Sequence, residues 1–135
     1  MEGAAVTASI KGLENIQKMA SQALSRRDLA ARAVGDAHLK KTFQRFKSNK
    51  VQGPPLKAAT IKRKKSSVKL VDTSRLARSI RFRTMTGLSM MWFTNVIYAG
   101  VHQYGYKNIP QRKFLFFTTD DLRLYAKIYM RALFR

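Results

Sequence analysis

Apolar residues recur at three- and four-residue steps over Ile10, Leu13, Ile16, Ala20, Ala23 and Leu24, the spacing of one helix face. A second helical pattern runs from about Leu29 to Phe46. Leu39, Phe43 and Phe46 mark its apolar face, and Lys40, Lys41, Arg45 and Lys47 line the other. Between the two, Ser25-Arg26-Arg27-Asp28 has capping-box spacing, with Asp28 in the place usually taken by Glu or Gln. It is expected to end the first helix and start the second. Gly35 weakens the second helix by up to about 1 kcal/mol relative to alanine, which points to a close helix crossing there. Residues 1–9 read as a small-residue tail ahead of a single domain spanning 10–135.

The helical pattern stops at Ser48. Gly53-Pro54-Pro55 breaks regular structure, and Ile61 to Ser67 offers almost nothing to bury, so 47–71 reads as one long basic loop. A helical turn over Thr60 to Lys65 is the most it is expected to hold. Asp72-Thr73-Ser74 are good N-cap residues, so Arg75 to Ser79 is expected to be a short helix carrying Leu76 and Ile80 inward. Ile80 to Met85 and Leu88 to Val96 then read as two strands around Thr86-Gly87. Ile80, Phe82, Met90 and Trp92 alternate toward the core. Thr118-Thr119-Asp120-Asp121 caps a final helix with an apolar stripe of Leu122, Tyr125, Ile128, Tyr129 and Leu133. Its wet face carries Arg123, Lys127 and Arg131. The fold class is α+β: N-terminal helices, a basic loop, a small antiparallel sheet and a C-terminal helix.

The stretch from Tyr98 to Leu115 is denser in special residues than composition requires. Tyr98-Ala99 and His102-Gln103 lie about a helical turn apart, and Gly105 ends that turn as the residue best able to take a positive φ. Ile109 before Pro110 is pushed to extended backbone. Arg112 and Lys113 follow, and Phe114 to Phe117 is an apolar run of strand length. Helical turn, glycine stop, stiff loop and buried strand make a rigid corner. Tyr98, Ala99, His102, Gln103, Gly105, Pro110, Arg112 and Phe114 are its candidate structural or subunit-contact residues.

Charge changes the picture most. Twenty-seven Lys and Arg against seven Asp and Glu give a formal charge of +20. Between Lys40 and Arg83 there are fifteen basic residues and one acid, Asp72. Such a surface attracts polyanions, and Lys57, Lys62, Arg63, Lys64, Lys65 and Lys69 are the candidate contacts to DNA or to an acidic partner. With no cysteine, disulfides, thiolate metal sites and cysteine nucleophiles are excluded. The start of the chain lacks the pattern of a signal peptide, and no apolar run is long enough for a membrane span. A soluble protein made inside the cell, with no membrane partner, is expected.

Catalytic chemistry finds little purchase. Asp120-Asp121 reads as helix capping rather than a metal or acid–base pair. His38 has no second histidine at ligand spacing. His102 has no serine or acid near it in sequence, and its imidazole is expected to satisfy backbone groups at the corner. A small hydrolase would need His102 beside an acid or nucleophile in the fold. No glycine loop cradles a phosphate, and neither a helix-turn-helix nor an RNP-like strand is present. No enzyme, cofactor or metal is expected. A nonspecific nucleic-acid-binding protein, held to the backbone by charge, is the alternative reading.

The order of features resembles the phage virion morphogenesis, or tail completion, family of Mu-like and related tailed phages. Gly35 leads to Phe46; Gly53, Pro55-Leu56, Thr60 and Arg63 match the family's loop pattern. Leu70, Asp72-Thr73 and Leu76 match a Leu-x-Asp-Thr-Gly-x-Leu element. Tyr98-Ala99, His102-Gln103-Tyr104-Gly105, Ile109-Pro110, Arg112 and Phe114-Leu115 match its most recognisable signature. The resemblance covers roughly residues 30 to 130, and the ordered set is more specific than any one element. Ser74 stands where the family usually has glycine, and Pro54 where a tryptophan often precedes Pro-Leu. The resemblance implies a non-enzymatic structural component that completes the tail and joins it to the head, in the virion after assembly in the host cytoplasm. It further implies a ring, commonly a hexamer, around the path of the DNA, with neighbouring neck and tail proteins as partners. The basic loop would then face either DNA in the lumen or the acidic surface of a neighbouring ring.

Overall fold

The computed structural model describes residues 11–70, 74–85 and 89–135. The expected tail, Ile10, the Asp72-Thr73 part of the short-helix cap, and the Thr86-Gly87 turn with Leu88 lie outside the described residues. Helix α1 (Lys11–Ser25) runs into α2 (Arg27–Lys47), which is followed by α3 (Ala58–Lys64) and α4 (Arg75–Ser79). Strands β1 (Arg81–Thr84) and β2 (Met90–Phe93) form an antiparallel pair, and α5 (Ala99–Tyr104) and α6 (Thr119–Leu133) complete an α+β architecture.

Helix α2 is the spine. It packs along α6 on one side and against the β1–β2 ribbon on another. Its C-terminal half delivers Phe46 to a core made with Val51, Leu76, Ala77, Ile80, Val96, Ala99 and Phe114. Among the described residues, the loop after α2, α4, the turn after β2, α5 and the segment before α6 each add an apolar side chain to that cluster, and Leu70 packs against it. Leu76 and Ile80 point inward as the pattern of α4 requires. In the ribbon Phe82 pairs with Trp92 and Thr84 with Met90, so the alternation read from sequence holds. The second strand is shorter than Leu88 to Val96; it ends at Phe93, and Val96 turns into the core.

Five expectations are corrected. The capping box between α1 and α2 does not form: Ser25 Oγ donates to Gln22 O at 2.8 Å, and Arg26 keeps helical backbone at φ −90° with no side-chain cap. The two helices are therefore nearly continuous. Arg45 is not on a solvated face but buried against α6. The basic loop holds a seven-residue helix, α3, rather than a single turn. Phe114 to Phe117 is not a strand, because no sheet edge reaches it and the Phe114 and Leu115 amides are taken by a side chain.

Gly35 supplies the fifth. The close approach is not to a helix but to β1, where a Cβ on residue 35 would overlap the Phe82 ring. Gly35→Ala is therefore expected to destabilise by about 1–2 kcal/mol, because overpacking outweighs the gain in helix propensity. In a Phe82→Ala background the sign reverses, and the same Gly35→Ala substitution stabilises by about 1 kcal/mol. Denaturant titration of the four proteins reads both effects.

Two left-handed residues shape the connections. Asn49 (φ 57°) closes α2, with the Lys50 N–H returning to Arg45 O at 2.8 Å. Ser74 (φ 60°) precedes α4 and makes no side-chain cap. A backbone that favours glycine is thus carried by serine.

Candidate functional site

The corner and the basic loop, read separately from the sequence, line a single groove of about 980 Å³. The corner contributes Tyr98, His102, Asn108, Ile109, Pro110 and Arg112 to its lining. The loop contributes Pro54, Pro55, Leu56, Lys57, Thr60, Arg63, Lys64 and Leu70, and the start of α4 contributes Ser74, Arg75 and Leu76.

The corner is built around Gln103. Its Oε1 accepts from the Phe114 and Leu115 N–H groups, both at 3.2 Å, and its Nε2 donates to Leu115 O at 2.7 Å. One carboxamide thus does for this segment what a neighbouring strand would have done. Gly105 takes φ 78° with ψ 156°, a region essentially reserved for glycine, and its N–H donates to Val101 O at 2.8 Å. Tyr106 and Ile109 exchange backbone hydrogen bonds at 2.9 and 3.1 Å, which closes the tip before Pro110. Ala99 and Phe114 are buried in the core. The Tyr98 ring meets His102 edge-on with centroids 5.8 Å apart.

His102 does not satisfy the corner's backbone as expected. Among the described residues its buried Nδ1 finds no hydrogen-bond partner, while its carbonyl accepts from the Arg112 N–H at 2.7 Å. Burial, and then the Arg112 charge, hold the imidazole below its ordinary pKa of 6.5. Gln103 takes the backbone role instead.

Corner and loop are strapped together. The Arg112 guanidinium is buried and donates to Pro54 O at 3.1 Å and to Pro55 O at 3.2 Å. The Gln52 N–H donates to Lys113 O at 3.0 Å. Gly53, at φ 107°, lies so close to Gln111 that a Cβ would overlap its carbonyl oxygen. A side chain at 53 is excluded twice, by backbone angle and by contact.

The six candidate cations divide by environment. Lys69 donates to Gly53 O at 3.1 Å and also to Val51 O, so its ammonium clasps the loop from within. Lys64 donates to Val68 O at 3.0 Å. Lys57, Lys62, Arg63 and Lys65 carry exposed side chains. Asn49 holds the far end of the loop, accepting from the Lys69 N–H at 2.9 Å and donating to Ser67 O at 3.3 Å. Only its asparagine identity hints at this in sequence, since asparagine tolerates the left-handed turn.

A second polar cluster, between α2 and α6, escaped sequence reasoning. Asp121 is fully buried; its carboxylate accepts from the Thr118 N–H at 2.9 Å and pairs with both Arg45 and Lys41. Burial alone would raise its pKa, but Lys41, Thr118 and Arg45 together hold it well below the usual carboxylate range. The Tyr125 hydroxyl, whose pKa is raised to about 12 by burial and then by Asp121, shares a hydrogen bond with His38 Nδ1 at 2.8 Å. His38 stacks on Phe117 and meets Trp92 edge-on. Burial first, then Arg45 and more weakly Lys41, lower its pKa from 6.5 to about 4 against the opposing pull of Asp121.

Stability inherits the sign of that shift. The unfolded chain binds a proton to His38 below about pH 6.5, and the folded chain refuses it until about pH 4. Stability is complete above pH 6.5 and should fall by about 3 kcal/mol as pH drops to 4. In His38→Gln most of that fall should go, leaving the part that His102, also held below 6.5, contributes; denaturant midpoints measured at several pH values will read the difference.

Among the described residues no group of His, Asp or Glu is arranged to hold a metal ion, and no helix is long and apolar enough to cross a membrane. No curated protein and no solved structure matches the chain. A family model does match, over residues 8–133, which takes in α1 to α6, the loop and the whole corner. The model is that of the phage virion morphogenesis family, and the chain belongs to it.

Proposed function

We propose that this protein completes the phage tail and joins it to the head, acting without catalysis as a ring of identical subunits around the DNA channel. The observation that carries the reading is the match to the phage virion morphogenesis family over residues 8–133, supported by the one groove that corner and loop line together. A corner braced by Gln103, Gly105 and Arg112 is a rigid surface, and a rigid heterologous contact repeated by rotation closes a ring. A hexamer is the expected closure. The exposed cations of the loop suit the acidic surroundings of a channel, whether those of DNA or of an adjoining ring. The protein would assemble in the host cytoplasm and reside at the neck, between neck and tail proteins.

The test is a phage in which this gene is silenced. Lysates should contain filled heads and separate tails, with joined particles restored by supplying the wild-type chain. Normal joined particles in the silenced lysate would contradict the proposal. The charge of +20 favours a second reading, nonspecific nucleic-acid binding. That reading requires the free chain to bind any duplex tightly, with affinity falling steeply as salt rises.

A further inference from the structure

The groove's chemistry is not that of a surface built for a nucleic-acid backbone. Phosphates are gripped by cations spread along an open face, and an apolar floor contributes nothing to that grip. Here Leu56, Leu70, Leu76 and Ile109 line the groove together with the cations Lys57, Arg63 and Arg75. No carboxylate lines the groove among the described residues. The buried Arg112 adds a further positive charge to its lining, and among the described residues its guanidinium is met by carbonyls.

An extended peptide fits both features. Its side chains alternate to opposite sides, so a strand with acids on one side and apolar groups on the other satisfies rim and floor together. This chain is a poor source for such a segment. Its seven acids are scattered, its one adjacent pair is Asp120-Asp121, and Asp121 is buried in capping α6.

We propose that the groove receives an extended acidic segment of a different virion protein, with carboxylates at Lys57, Arg63 and Arg75 and apolar side chains over Leu56 and Ile109. The origin of the segment rests on the head–tail joining reading; its chemistry does not. The loop's cations thereby serve protein recognition, and the apolar floor separates a correct segment from any other polyanion.

The probe is a labelled synthetic peptide alternating aspartate with leucine, titrated into the full chain by fluorescence anisotropy at physiological salt. An all-acidic peptide of equal net charge and a short DNA duplex are the comparisons. The alternating peptide should bind at least about tenfold tighter than the all-acidic one, an effect of the size that floor contacts supply. Lys57→Glu with Arg63→Glu, both at exposed positions, should weaken it by about tenfold or more. Ile109→Ser, also exposed, should reduce the preference for the alternating peptide and leave duplex binding unchanged. Equal binding of the two peptides, or a duplex that outcompetes both, would overturn the proposal in favour of a nucleic-acid face. The silenced phage reports separately. Unjoined particles with no peptide preference overturn the occupant alone; peptide binding with normal particles leaves the groove's chemistry and removes its virion source.

Discussion

Asp121→Ala is expected to destabilise the protein by about 3–5 kcal/mol, the range for breaking a buried ion pair by removing one partner. The carboxylate is fully buried, and three groups depend on it: the Thr118 N–H, the Arg45 guanidinium and the Lys41 ammonium. Without it Arg45 keeps Phe116 O at 2.8 Å and the Phe116 ring, with 4.1 Å from guanidinium carbon to centroid. Neither balances its charge. The cap is the smaller part of the loss. Thr118→Ala removes the capping hydroxyl and leaves the charges, so it should cost only about 1 kcal/mol. Asp121→Asn keeps an acceptor for the Thr118 N–H but loses the charge, and should fall nearer to alanine than to wild type. Arg45→Met combined with Asp121→Ala should recover part of the stability, because no unpaired guanidinium remains buried. Thermal and denaturant unfolding of this set separates capping from charge. Acid titration does so again: the Asp121 contribution is lost as pH falls through its ordinary value of 3.8 and on below it, directly under the window in which His38 acts.

Gln103→Leu is expected to cost about 2–4 kcal/mol, by leaving two N–H groups and one carbonyl of the 114–115 backbone without a partner. The size of the side chain is kept, so the loss is not one of packing. Gln103→Glu is the sharper variant. It retains an acceptor for Phe114 and Leu115 but turns a second oxygen toward Leu115 O, and should recover only part of the wild-type stability. The effect should also be local. Hydrogen exchange at the Phe114 and Leu115 amides should rise in Gln103→Leu by more than at amides within α2 and α6. A uniform rise across the chain, with no excess at 114–115, would remove the corner's dependence on this carboxamide.

Local rules made much of the fold legible in the sequence. Periodicity placed α2 and α6, N-cap chemistry placed the start of α6, and alternation placed Phe82 opposite Trp92. These are interactions between residues close in sequence, or between neighbours on one face. What failed depended on distant partners. Arg45 looks like a solvated helix residue until Asp121, seventy-six positions away, is folded beside it. Phe114 to Phe117 has the composition of a strand, but a strand needs an edge, and here Gln103 meets the hydrogen bonds of its first two residues. Gly35 announces a close approach without saying to what; only the ribbon's position identifies the Phe82 ring. The Ser25–Asp28 box lost to helix continuity, since Arg26 keeps the helical backbone and Ser25 bonds back to Gln22.

The site divides in the same way. Its residue types were legible: the corner through Gly105 and Pro110, the loop through its charge. That the two share a groove was not, because the straps run from Arg112 to Pro54 and Pro55 and from Gln52 to Lys113, far apart in sequence. The same distance hid the role of Lys69, which reads as a free cation in sequence and clasps carbonyls in the fold. Charge count alone therefore overstates the surface the loop offers a partner.

The most direct measurement is made on virions. Purified particles are disrupted, and the tail and neck fragments are imaged with this chain labelled. Label forming a ring at the head-proximal end of the tail is the predicted result. Label absent from particles, with the chain bound instead to nucleic acid in the infected cell, would contradict the account.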